Sequence, residues 1–169
     1  VAGLNADYAL VVGGVQMSSW PTASAMTYGT VRGGLVTDMK TSNNQRFLMD
    51  HPTEWNDVYN NTIRQEVVST APFANPTALR FRLESFNEQA NVSQRIELFD
   101  YVANDWVQLD LSNLDGSDNF REVSVTSNVA RFVRGADRQV KARMTWYQVI
   151  INDVDWFIGV DQARWFYTP

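Results

Sequence analysis

The chain contains no cysteine, so disulfides, thiolate metal sites and cysteine nucleophiles are all excluded. At 169 residues it has no need of cross-links, because a domain of that size can bury a hydrophobic core unaided. Histidine is nearly absent, with His51 the single copy. It sits before Pro52 with no Gly-x-Ser-x-Gly elbow anywhere near, so nothing points to a Ser-His-Asp site. No run of about 20 apolar residues is present that would cross a bilayer as a helix. The first fifteen residues lack a basic leader, as expected of a mature or trimmed chain. Basic residues are outnumbered, 14 Lys and Arg against 19 Asp and Glu, and scattered along the chain. Nucleic-acid binding, which needs a basic footprint, is set aside on that ground.

What is plentiful is apolar and aromatic: 44% hydrophobic residues, including six Trp, six Tyr and nine Phe. That composition predicts a folded domain. Period-two alternation dominates. Leu79, Phe81 and Leu83 share one face, opposite Arg80, Arg82 and Glu84. Val140, Ala142, Met144 and Trp146 repeat the pattern against Lys141, Arg143 and Thr145. Two apolar runs, 95–101 and 106–110, flank Val102-Ala103-Asn104-Asp105 and read as a hairpin. Weaker strands are expected at 8–12, 15–20, 27–32, 46–49, 62–69, 122–126 and 155–167, with short helical turns at 128–133 and 52–59. Many short strands between breaker clusters predict an all-β fold, an antiparallel β-sandwich. Residues 1–22 read as an N-terminal strand segment and 23–169 as the sandwich domain.

The hairpin Glu97 to Tyr101 with Trp106, the segment Arg131-Phe132-Val133, the strand Val140 to Arg143 and the ending Val160-Asp161-Gln162-Ala163-Arg164-Trp165 together resemble a known family. It is a β-sandwich module found at the C-terminal end of secreted multidomain bacterial proteins, common in planctomycetes, whose last strand ends in Ile/Val-Asp-Gln-x-x-Trp. The resemblance covers residues 27 to 167 and implies a jelly-roll or galactose-binding-like sandwich in an extracellular setting, without an established activity.

Asp161 interrupts an apolar strand whose Ile158, Val160, Ala163 and Trp165 cannot share one face without a bulge. In jelly-roll carbohydrate-binding modules, similar at the level of fold, such an Asp often ligates a structural calcium. Asp38, Asn43 and Asn44 would complete the oxygen set here, making calcium the candidate cofactor. The competing expectation is that Asp161 accepts backbone hydrogen bonds at the bulge while Asp38 caps a turn. Trp20, Trp55, Tyr59, Trp106 and Trp156 fall in loops or at strand ends and are candidates for a sugar-stacking platform, whereas Trp146 and Trp165 belong to the core. Glu66 and Glu84 are a carboxylate pair only in the generic sense that any sheet protein offers one.

These readings predict an extracellular, non-catalytic binding or attachment module with polysaccharide as the leading ligand class, no nucleic acid and no membrane insertion. A second expectation is a structural subunit of a filament or surface layer, in which the N-terminal strand pairs with another copy of the chain. A jelly-roll esterase or glycoside hydrolase is the weakest of the three.

Overall fold

A computed structural model describes residues 8–11, 14–52, 62–89, 91–148 and 155–169. Its strands are β1 (Tyr8–Val11), β2 (Gly14–Ser19), β3 (Ala23–Tyr28), β4 (Thr30–Gly33), β5 (Phe47–Asp50), β6 (Thr62–Thr70), β7 (Ala78–Asn87), β8 (Val92–Asp100), β9 (Asp105–Leu114), β10 (Asp118–Val125), β11 (Gln139–Gln148) and β12 (Phe157–Thr168). Two short 3-10 helices, Val36–Lys40 and Val129–Phe132, are the only helical pieces among the described residues.

All strand pairs are antiparallel. From β5 onward one sheet runs β5-β12-β7-β10 and the other β6-β11-β8-β9. From β5 onward every connection but the β8–β9 hairpin passes between sheets. This is the jelly-roll arrangement, in which double-sheet closure leaves few open edges. The expected antiparallel β-sandwich is therefore the observed fold. To this frame the N-terminal third adds β3 on β6, β4 on β5, and the β1–β2 hairpin on the C-terminal half of β12, giving seven and five strands.

The alternation read from the sequence dictates which faces meet. Leu79, Phe81 and Leu83 of β7, with Ile158, Val160, Ala163, Trp165 and Tyr167 of β12, pack against Ile63 and Val67 of β6, Ile96 and Leu98 of β8, and Val140, Ala142, Met144 and Trp146 of β11. The Trp146 indole satisfies its buried N–H on Gln94 Oε1 at 2.7 Å, as a core tryptophan must.

One expected strand, 27–32, is in fact two. Gly29 has φ +88, and a Cβ there would stand 2.4 Å from the Asp50 carbonyl oxygen. Only glycine fits such a corner. The chain turns at it from β3 in the five-stranded sheet to β4 in the seven-stranded sheet. On β12 the register against β7 shifts between Val160 and Gln162, so the bulge expected at Asp161 is present.

Candidate functional site

The outer face of the five-stranded sheet is a grid whose rows follow from the strand registers. At one level lie Tyr28, Arg64, Thr145, Arg95 and Leu111; at the next Ala25, Glu66, Arg143, Glu97 and Gln108. A third level carries Val68 beside Lys141 and Phe99 beside Trp106. Side chains that point away from a core are ordinarily well solvated. Here Thr145 is 1% and Glu97 4% accessible, because long neighbours lie across them.

The neighbours are cations on aromatic rings. Arg143 lies 4.4 Å from the Trp106 ring centroid, Arg64 4.8 Å from Tyr28, and Lys141 5.1 Å from Phe99. Arg143 is also held bidentately by Glu97, at 2.7 and 2.8 Å. Arg64 donates from Nε to Thr145 Oγ1 at 3.1 Å. Burial first, then the Arg143 guanidinium, pushes the Arg64 guanidinium below its ordinary pKa.

Trp106 stands at the corner where this face turns over the edge of the sandwich. Beyond it opens a cavity of about 530 Å³, between β9 and the end of β10, whose lining includes Asp105, Ser124, Thr126, Asn128 and Arg131. Its floor is fixed by Asp100, which is 2% accessible and accepts the backbone N–H groups of Val102 and Ala103 at 2.9 and 3.0 Å. Arg131 closes on the same carboxylate. Burial opposes the charge on Asp100, but the Ala103 N–H, the Arg131 guanidinium and the Val102 N–H outweigh it and hold the pKa below the usual carboxylate value.

The tryptophans singled out from the sequence do not assemble into one platform. Trp106 lies on the face just described. Trp20 is half-buried under the Lys40 ammonium, 4.9 Å from its ring, and lines a separate cavity of about 320 Å³ with Ser18, Ser19, Thr22 and Ser69. It lies beyond β6, about three strand spacings or roughly 14 Å from β9. Trp156 is a correction: it is 2% accessible and stacked on His51 at 6.0 Å, so it has no free ring face to offer. Its place at the start of the strand expected at 155–167 suggests an exposed strand end, but the side chain there is buried. Trp55 and Tyr59 lie outside the described residues.

The four oxygen donors named for calcium are otherwise engaged. Asp161 accepts the backbone N–H of Asn43 at 3.3 Å and of Asn44 at 3.2 Å, one on each carboxylate oxygen. Asp38 accepts the Leu35 N–H at 2.7 Å, at the start of the Val36–Lys40 3-10 helix. Asn43 Oδ1 accepts the Gln45 N–H, and Asn44 Oδ1 accepts from the Arg46 guanidinium at 2.8 Å. With N–H donors on every one and a guanidinium alongside, this set does not fit a calcium ion.

His51 bonds through Nδ1 to the Pro52 carbonyl and through Nε2 to Asp155, and among the described residues neither nitrogen reaches a hydroxyl. Glu66 and Glu84 project from opposite outer faces of the sandwich, two sheets apart, which removes them as a hydrolytic pair. Glu84 accepts from Ser42, while Arg80 and Arg82 both pair with Glu122 on β10.

What the sequence did not reveal is the gathering of Arg64, Arg95, Lys141 and Arg143. They look scattered because they come from three separate strands, Arg64 from β6, Arg95 from β8, and Lys141 and Arg143 from β11. The signal that could have found them is the alternation itself, once the three strands are set side by side.

No protein-family model and no curated protein matches the chain. Among solved structures it is similar to TmCBM61 in complex with β-1,4-galactotriose, with 8% identity over 91% of this chain and 88% of that one, and a TM-score of 0.45. It is similar to the CBM22-1-GH10 modules of the Clostridium thermocellum endo-1,4-β-D-xylanase 10B complexed with xylohexaose, with 5% identity and a TM-score of 0.49; 91% of this chain is covered but 26% of the xylanase chain. It is also similar to a family 29 carbohydrate-binding module, CBM29-2, with 10% identity over 98% of this chain and 84% of that one, and a TM-score of 0.41. At these identities and scores the likeness says nothing about ligand or site residues.

Proposed function

We propose that the chain is a non-catalytic, extracellular module that binds polysaccharide through the outer face of the five-stranded sheet and its Trp106 corner. The observation that carries this reading is Trp106 itself: a partly exposed indole bordering a cavity whose walls combine the apolar Val107, Leu109, Val125 and Phe132 with hydroxyl, amide, carboxylate and guanidinium groups. A sugar ring has an apolar face and a hydroxyl rim, and such a corner meets both. The cavity volume lies within the range of small-ligand sites.

The non-catalytic part of the reading is supported by the separation of Glu66 from Glu84 and by the engaged nitrogens of His51. An extracellular setting follows from the ligand class. No helix among the described residues is long and apolar enough to cross a membrane. The competing filament reading needs the N-terminal strand for a second copy, but β2 pairs with β12 of its own chain.

Affinity gel electrophoresis against a panel of soluble polysaccharides tests the proposal. Retardation by at least one of them, abolished in Trp106→Ala while the melting temperature holds within a few degrees, is the expected result. No retardation by any polymer, or retardation indifferent to the Trp106 change, would overturn it.

A further inference from the structure

The sheet treats its arginines unequally. Arg143 is matched by a carboxylate in the same row, at 2.7 and 2.8 Å. One row away, Arg64 and Arg95 flank Thr145 from the two neighbouring strands. Among the described residues neither makes an ion pair, and the Nε of Arg95 is buried with no hydrogen-bond partner at all. A buried guanidinium N–H left unpaired is costly, of the order of 1–3 kcal/mol. Arg46 and Arg131 also leave a buried Nε unpaired, but each reaches a carboxylate through another nitrogen, which Arg95 does not among the described residues.

Like charge compounds the cost. The Arg64 guanidinium feels both Arg143 and Arg95, each of which disfavours its charge, and Tyr28 and Glu97, which favour it without overcoming burial and the Arg143 charge. Three guanidiniums therefore share one face of a chain whose net charge is −5. An anion in the Arg64–Arg95 row would relieve the repulsion and fill the missing bond in one step. The two strands that carry these residues are two spacings apart, roughly 9.5 Å, which two long side chains can close onto a single group.

We propose that the face takes an acidic polysaccharide, with a uronate carboxylate seated over Thr145 between the Arg64 and Arg95 guanidiniums. This narrows the polysaccharide reading above and rests on it. A planar carboxylate suits the guanidinium fork. A sugar acid is favoured over a nucleic-acid backbone because the chain carries a net charge of −5 and Glu66 and Glu97 interrupt the cations of this face, which therefore lacks the continuous basic footprint of a nucleic-acid surface. Trp106, two rows on, then stacks a neighbouring sugar of the same chain.

The test uses polygalacturonate and its carboxyl-reduced derivative, which keeps the glycan backbone and loses the charge, with single-stranded DNA as a third probe. Binding is measured by titration calorimetry with the intact chain, Arg95→Gln, Arg95→Lys, and Arg32→Gln as a control. Arg32 lies on β4 of the other sheet, so its loss changes net charge equally but not this face. We expect polygalacturonate to bind, the reduced polymer to bind at least tenfold more weakly, Arg95→Gln to lose tenfold or more, Arg95→Lys to fall between, and Arg32→Gln to match the parent. Melting curves for each variant separate lost binding from lost folding.

Equal affinity for charged and reduced polymers, or an Arg95→Gln variant that is folded and binds normally, overturns the acidic preference while leaving the polysaccharide reading intact. Binding of neither polymer defeats that reading as well. Tighter binding of DNA than of polygalacturonate at the same ionic strength would replace the uronate with a phosphate ligand.

Discussion

The carboxylate of Asp161 and the backbone of Asn43 are hydrogen-bonded across 118 residues of chain, and the second carboxylate oxygen takes the N–H of Asn44. The bulge on β12 makes this possible, because the extra residue turns a buried side chain out of the strict alternation and toward the 41–46 loop. Replacing Asp161 with Ala leaves two backbone donors without their acceptor and is expected to cost about 2–3 kcal/mol, read as a lower urea midpoint. The same geometry predicts that EDTA leaves the melting temperature unchanged. A fall of several degrees on chelation, reversed by calcium, would mean that the loop rearranges around a cation after all.

The Glu97–Arg143 pair gives a second expectation. Both side chains are mostly shielded, with 6% and 18% accessibility, so removing one partner strands a charge. Glu97→Ala should cost about 3 kcal/mol, and the Glu97→Ala/Arg143→Ala double variant clearly less than the sum of the singles. Because Arg143 also covers the Trp106 ring, tryptophan emission should shift in both single variants. Additive losses in the double-mutant cycle would show that the two residues are not coupled.

These two sites show where sequence reading succeeds and where it stops. The bulge was legible because Asp161 broke a local pattern, and local patterns are what a single strand displays. The inward faces of β7 and β11 were legible for the same reason. The 27–32 strand was misjudged because Gly29 looks like an interruption within one strand, and only the close approach of Asp50 reveals it as a corner between sheets. The grid around Arg64, Arg95 and Arg143 could not be read at all without strand order, since the register pairs that join them are between 46 (Arg143 with Glu97) and 81 (Thr145 with Arg64) positions apart. Trp156 was misplaced because burial of a residue flanking a strand depends on what packs over it, here His51.

Asp100 predicts a pH dependence with a definite sign. Its folded pKa lies below the ordinary value, so the unfolded chain binds more protons as the pH drops. The stabilisation is fully present above about pH 4, the unfolded carboxylate value, and is lost as the pH falls through the lower folded value. Asp100→Asn should therefore lower stability at neutral pH and flatten the acid limb of the stability curve. Asp137, held at about 2 by Arg134, titrates in the same acid range but is exposed on the surface and should contribute little. An unchanged acid limb in Asp100→Asn would mean that other carboxylates set it.

Removing residues 1–19 tests how far the N-terminal strands belong to the sandwich. β2 covers the C-terminal half of β12, where Ser19 Oγ and Tyr167 Oη are 2.7 Å apart and the Ser18 hydroxyl accepts from Arg164. Truncation exposes that strand edge beside Trp165 and Tyr167, both otherwise inaccessible. The melting temperature should drop by at least about 4 °C, equivalent to some 1–2 kcal/mol for a domain of this length, and the bare edge should promote self-association. Instability alone does not separate a binding module from a filament subunit, since both would lose a strand. Complementation does: a peptide of residues 8–19 added to the truncated chain should restore the melting temperature in either case, but only a strand-exchanging subunit would leave the intact chain able to bind that peptide too. If light scattering shows the intact chain to be a monomer that ignores the peptide, the cis pairing of β2 and β12 is the working state and the filament reading falls.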